Sequence, residues 1–311
     1  MTQIFFSILP IFLITMLGTG SKKYWLTSDE FWRGLEKLSY FVLFPAVLFN
    51  YISTADISST SLMTLVFGLI LSSMVVAAGM VFYQRKYGID KVEFTSLFQG
   101  GIRYNSYIFF ALGSALYGEK GLAIVAVISS YMIIFTNAIS VLMFNAYIKS
   151  PEHSEASRFD TFMALINKFT TNPLILASVA GFIFNYLELH MNIGLHNTLV
   201  SLSNAALAMG LMNVGAGLKF TFKENYINRI VISGVIKLCI LPIITYIILT
   251  ILGIVGTPKA IGVLYSGLPC ASTAYILSKQ LGGDTDLMAS IITVTTVISV
   301  FTLSIIMYFM G

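Results

Sequence analysis

Residues 98–110 read FQGGIRYNSYIFF and residues 265–277 read YSGLPCASTAYIL. Each lies near the middle of an apolar run long enough to cross a bilayer. The first carries paired glycines, an arginine and an asparagine; the second carries a glycine, a proline and small polar residues. A mid-helix proline removes a backbone hydrogen bond and clashes with the preceding turn, costing about 3 kcal/mol. In lipid the freed backbone groups find no water, so such a break survives only beside protein or a wet cavity. Both stretches are therefore read as interrupted spans, with Gly100, Gly101, Gly267 and Pro269 as the breaking residues.

The rest of the chain supplies the frame. Of its 311 residues 57% are hydrophobic and 10% charged, against about 25% charged in a soluble domain. Apolar runs between charged breaks give ten candidate spans: 3–20, 34–53, 62–84, 95–117, 121–147, 162–189, 197–218, 227–252, 258–281 and 286–310. A hydrocarbon core of about 30 Å needs roughly 20 helical residues. The first run lacks a basic leader and a small-x-small cleavage site, so it is read as a span rather than a signal peptide. This predicts an all-α membrane protein, with a polar linker at Lys149–Asp160 dividing it into residues 1–148 and 161–311.

Fourteen of the 18 basic residues fall in the odd-numbered loops, and only Lys120 and Lys259 fall in even ones. The positive-inside rule then makes the odd loops cytoplasmic and puts both termini outside. The halves also match each other. Pro10 and Gly18 share the spacing of Pro173 and Gly181, and a constant offset pairs Leu112 with Leu277, Gly118 with Gly283, and Glu119 with Asp284. Five spans per half make this an inverted-topology repeat. Broken spans at equivalent mid-membrane positions are the strongest sequence pointer to a transporter's binding site.

Arg103 gives that site a sign. A central arginine faces a partner or a cavity, yet Glu36, Asp56, Glu93, Glu119, Glu188, Asp284 and Asp286 all lie near span ends. A guanidinium grips a carboxylate through parallel hydrogen bonds. Half-helices starting near Ser106 and Ala271 would aim their positive ends at the same point. Candidate substrate-binding residues are Arg103, Asn105, Ser106, Pro269, Cys270, Ser272, Thr273, Asn50 and Asn213. The competing reading of Arg103 is a bond to backbone carbonyls; for Asn50 and Asn213 it is helix-to-helix hydrogen bonding.

Lys237 is read as a snorkelling or carbonyl-bound lysine. The hydroxyls of Thr293, Thr295, Thr296, Ser299 and Thr302 could line a sodium site or close onto their own helix. No metal site or cofactor is expected, and sodium or proton coupling stays open. Nothing suggests an enzyme (HExxH and GxSxG are missing) or a nucleic-acid partner. An anion channel and a membrane-embedded ligand sensor remain as alternatives.

The stretches ILPIFLITMLG, LEKLSYFVLFPAVLFN, GGIRYNSYIF, NPLILASVAG and GLPCASTAYILSKQLGGD, taken in order, resemble the auxin efflux carrier family. That family holds the plant auxin carriers and bacterial malonate or malate permeases. The resemblance implies ten helices in two inverted five-helix repeats, with helices 4 and 9 unwinding where they cross. It implies a scaffold of helices 1, 2, 6 and 7, a transport domain of helices 3–5 and 8–10, a homodimer, and elevator-type alternating access. The plant carriers' asparagine and second proline map onto Asn105 and Pro269, which would position a substrate carboxylate, while Tyr104 replaces the proline beside the asparagine. Arg103 matches the bacterial pattern, implying a small mono- or dicarboxylate carried across a bacterial inner membrane.

Overall fold

A computed structural model describes residues 2–55, 60–148, 171–220 and 223–310. The expected linker at 149–160 and the start of the sixth expected span (162–170) lie outside the described residues. All regular structure among the described residues is helical. In order, the helices are α1 (Thr2–Tyr24), α2 (Asp29–Leu38), α3 (Phe44–Ser53), α4 (Thr60–Tyr87), α5 (Lys91–Ile102), α6 (Ser106–Tyr147) and α7 (Pro173–Tyr186). They continue with α8 (Ile193–Ala216), α9 (Ile227–Val235), α10 (Leu241–Ile251), α11 (Gly256–Ser266), α12 (Thr273–Leu281) and α13 (Thr285–Met310). Among the described residues, six helical stretches are long and apolar enough to cross a membrane: Asp29–Ser53, Ser61–Tyr87, Lys91–Tyr147, Ile193–Ala216, Glu224–Ile251 and Thr285–Met310.

Local chemistry sets the boundaries. Asp90 caps α5 by accepting from the Val92 and Glu93 amides at 2.9 and 3.1 Å. Asn172 and Asn192 cap α7 and α8 in the same way, satisfying first-turn amides that have no partner within the helix. Two π turns, Ser39–Leu43 and Ile236–Ile240, join α2 to α3 and α9 to α10. Each precedes a proline, Pro45 or Pro242. A proline ring crowds the carbonyl four residues back, and widening the helix to i→i−5 bonding relieves that clash. Within α6, Gly118 takes φ 60° and ψ −150°, a conformation that a Cβ would strain. The helix folds there, and Gly113 and Gly121 approach across the bend.

Close packing is densest where glycines replace side chains. α1 lies along α8, with Gly18 against the Met212 backbone and Gly215 against the Thr15 backbone. Small residues allow such contact, and contact drives association where lipid gives no hydrophobic force. α3 lies along α7, and the Asn185 amide donates to the carbonyls of Ile52, Ser53 and Ala55 at the end of α3. The core runs through the middle of the molecule, with Phe109, Phe110, Leu264 and Tyr265 fully or almost fully buried. Both interrupted regions sit inside it.

Candidate functional site

The two interruptions meet. α5 ends at Ile102, Arg103–Asn105 is extended, and α6 starts at Ser106; α11 ends at Ser266 and α12 starts at Thr273. The Asn105 amide donates to the Pro269 carbonyl at 2.9 Å, joining the breaks directly. Freed backbone groups buried in the membrane thus find each other, as their desolvation demands.

One expectation about the breaks needs correction. Gly100 and Gly101 do not break the helix; both lie in the last turn of α5. Their missing side chains make room for neighbours. A Cβ at Gly100 would come within 2.7 Å of Ile291 Cγ2, and one at Gly101 within 2.8 Å of Met80 Sδ and 3.1 Å of Ile236 Cγ2. The second half-helix runs from Thr273 with Ser272 as its cap, within two residues of the expected start near Ala271. Gly267 caps the end of α11, and Pro269 lies in the non-helical stretch that follows.

Beside the crossing lies a cavity of about 580 Å³. Its inner wall holds Arg103, Asn105, Ser106, Ser272 and Thr273; its mouth holds Arg33, Glu36, Lys37 and Gln280. The inner arginine and asparagine are buried, whereas Arg33, Lys37 and Gln280 are exposed. Of the described residues on its wall, Arg33, Lys37 and Arg103 are basic and only Glu36 is acidic. The first residues of α6 and α12 both line it, so two positive helix ends face one space.

Arg103 is 6% exposed. Its guanidinium donates to Gln99 Oε1 at 3.1 Å and to Thr273 Oγ1 at 3.0 Å. Gln99 in turn donates to Ser278 Oγ at 2.9 Å. This chain of neutral partners ties the end of α5 to the start of α12 and aims the arginine without neutralising it. No described carboxylate pairs with it. A guanidinium has five N–H donors, so two bonds leave capacity for a carboxylate. Asn105 uses Oδ1 to accept from the Ile108 amide at 3.2 Å, while its buried Nδ2 has no partner. Ser272 makes no capping bond with its side chain, so this cap hydroxyl is free to face the cavity.

Four candidates are not brought to the cavity wall. Pro269 is held by its carbonyl to Asn105. Cys270 is fully buried behind the crossing, its amide donating to Thr295 Oγ1 at 3.2 Å. Asn50 is buried in α3, and Asn213 lines a neighbouring recess with Lys22, Asp29 and Lys219. Mid-span position brought these residues to notice, but helix rotation decides which way each one faces. Conversely, Gln99, Tyr40, Thr136 and Asn137 were missed as site residues. The i, i+4 spacing of Gln99 and Arg103 was a readable signal; the others depend on packing. In α13 the hydroxyls of Thr293, Thr295, Thr296 and Ser299 all bond carbonyls of their own helix.

The family profile described as Membrane transport protein matches residues 3–307. The chain belongs to this family, the auxin efflux carrier family that its motifs resemble. It is similar to an uncharacterized transporter of Methanothermobacter thermautotrophicus, 23% identical over 300 residues that cover 96% of this chain and 95% of the relative. The protein is thus an integral membrane transporter and not an enzyme.

Proposed function

We propose that this transporter carries a small organic anion, a mono- or dicarboxylate of the malonate or malate kind, with its carboxylate held at the crossing of the two interrupted helices. Arg103 would grip the carboxylate through its remaining N–H groups. Asn105 Nδ2 and the hydroxyls of Ser106, Ser272 and Thr273 would complete the shell, and the ends of α6 and α12 add positive potential. One observation carries this reading: a buried arginine on a cavity wall whose described partners are neutral. A small anion supplies the charge that the protein withholds.

The wider architecture belongs to the same proposal. Ten spans in two inverted repeats fit the helix order, if the breaks after α5 and α11 and the bend at Gly118 divide the long stretches. α1, α2–α3, α7 and α8 would form a scaffold and, through it, a homodimer; the remaining helices would move against it as an elevator. The cavity mouth lies on the lysine- and arginine-rich side, which the positive-inside rule assigns to the cytoplasm; this supports an inward-open state with both termini outside. Proteoliposomes should accumulate or exchange a labelled acid from a panel of malonate, malate, succinate, acetate and indole-3-acetate. Uptake should vanish in Arg103→Ala while the protein stays folded. Unchanged uptake in that variant would sink the assignment of the binding site.

A further inference from the structure

Among the described residues, one buried charge-bearing group lies outside the anion site. Lys237 stands in the π turn Ile236–Ile240 and is 0% exposed. Its Nζ has no hydrogen-bond partner and lies 5.7 Å from the centre of the Tyr265 ring. The Tyr265 ring packs 4.5 Å from that of Tyr104, the residue between Arg103 and Asn105 in the interrupted segment. The neighbouring Ile236 touches the place where a Cβ of Gly101 would be. Lys237 is thus packed against the back of the crossing, with Arg103 on the cavity side and a pair of tyrosines between.

No described carboxylate reaches it. On α5, Glu93 is held by Arg229 of α9 at 2.9 Å. On α13, Asp286 is held by Lys223 at 2.7 Å. From α11 come Tyr265 beside it and Lys259 at the far end, bonded to Thr250. α10 brings Tyr246, which lies under Lys259. Arg103, Tyr104 and Cys270 stand in the two breaks, and the exposed Cys239 shares the π turn. An ammonium here without a counter-charge would meet a desolvation penalty of several kcal/mol, and lysine is the side chain that changes protonation readily when buried. A carboxylate arriving on the other face of the crossing alters that balance, because charges attract strongly in a low dielectric.

Resting on the anion reading above, we propose that Lys237 is the proton site of the carrier: it takes up one proton as the anion binds at the crossing and releases it as the anion leaves. No bond other than N–H forms or breaks. The proton comes from water on the side to which the cavity opens, and it travels with the substrate. Anion and proton then cross together, so a proton gradient can drive accumulation without sodium. The lysine is not in contact with substrate; it acts through the field across the Tyr104–Tyr265 pair.

The test uses the whole purified protein and the acid from the panel that stabilises it most. Between about pH 7 and 9, where these acids are fully ionised, the wild-type Kd should rise by up to about tenfold per pH unit. Binding in lightly buffered solution should take up close to one proton. Lys237→Met (apolar, of similar length) and Lys237→Arg (permanently charged) should both flatten the pH profile, abolish proton uptake and lose gradient-driven accumulation. Should either variant be unstable, the pH dependence of the wild-type Kd and the wild-type proton uptake carry the test on their own. Proton uptake that survives in the arginine variant, or a pH-independent wild-type Kd, overturns the proposal while leaving the anion site standing. Absence of binding by every acid in the panel removes both.

Discussion

The contact between α1 and α8 and the crossing at residues 103–105 and 267–272 lie in the same fold but follow opposite rules. In the first, Gly18 and Gly215 bring backbones together and Thr19 Oγ1 donates to the Gly215 carbonyl at 2.7 Å. In the second, the buried Asn105 Nδ2, Lys237 Nζ and Tyr265 hydroxyl have no partner, and two helices give up their regular bonding. An unpartnered buried polar group costs about 1–3 kcal/mol, so several in one place concentrate a destabilising load. At the α1–α8 contact, which holds shape, no described buried side-chain polar atom lacks a partner; at the crossing, which admits a ligand, donors stay open and the surroundings supply the stability.

Two substitutions separate these roles. Arg103→Ala should weaken acid binding by about 3 kcal/mol, more than a hundredfold in Kd, because it removes a buried charge-assisted contact. Thermal unfolding without ligand should change little. Gly215→Leu should do the reverse, lowering stability by about 1–3 kcal/mol or more through overpacking against the Thr15 backbone. The surviving folded fraction should bind acid with the wild-type Kd. Should the glycine variant lose affinity as steeply as the arginine variant, the two regions are not separable.

A smaller effect sharpens the picture of the arginine. Thr273→Val removes the hydroxyl that accepts from Arg103 at 3.0 Å while nearly keeping its shape. Losing one hydrogen bond to a charged group is worth about 1.5–3 kcal/mol, but water in the cavity can replace part of it. Titration should therefore show about a tenfold rise in Kd, well short of the loss in Arg103→Ala. An equal loss would mean that Thr273, not the arginine, organises the site.

The interrupted spans were legible because lipid punishes backbone irregularity heavily: Pro269 and the polar run around Asn105 could hardly sit in an unbroken, lipid-facing helix. Their limits were less legible. Gly100 and Gly101 looked like breakers, yet glycine inside a helix is also the residue that lets Ile291, Met80 and Ile236 come close. Half of the role of Gln99 was legible in its i, i+4 spacing from Arg103, to which it offers Oε1; the other half, its bond to Ser278, arises only when the second half of the chain arrives. Lys237 was visible as a lysine within an apolar run, but its burial depends on a π turn ahead of Pro242, which hydropathy does not reveal. What was readable came from the cost of burying a group; what was not came from which neighbour shared that cost.

Asn213 marks the edge of the site and gives the smallest expected effect. It was a candidate because it sits at mid-molecule in a glycine-rich run, MGLMNVGAG. In the fold it turns to the recess lined by Lys22, Asp29 and Lys219, and its carbonyl accepts from the Gly217 amide at 3.1 Å to close α8. That bond is made by the backbone and survives Asn213→Ala, so the helix end should persist. The Kd for the acid should shift by less than about twofold, within the roughly 0.5 kcal/mol typical of substitutions away from critical contacts. Isothermal titration of this variant beside Arg103→Ala would then bracket the site between a residue that carries it and one that merely lies nearby. A loss above tenfold in Asn213→Ala would extend the substrate's path into the neighbouring recess and redraw the boundary between the close-packed region and the open one.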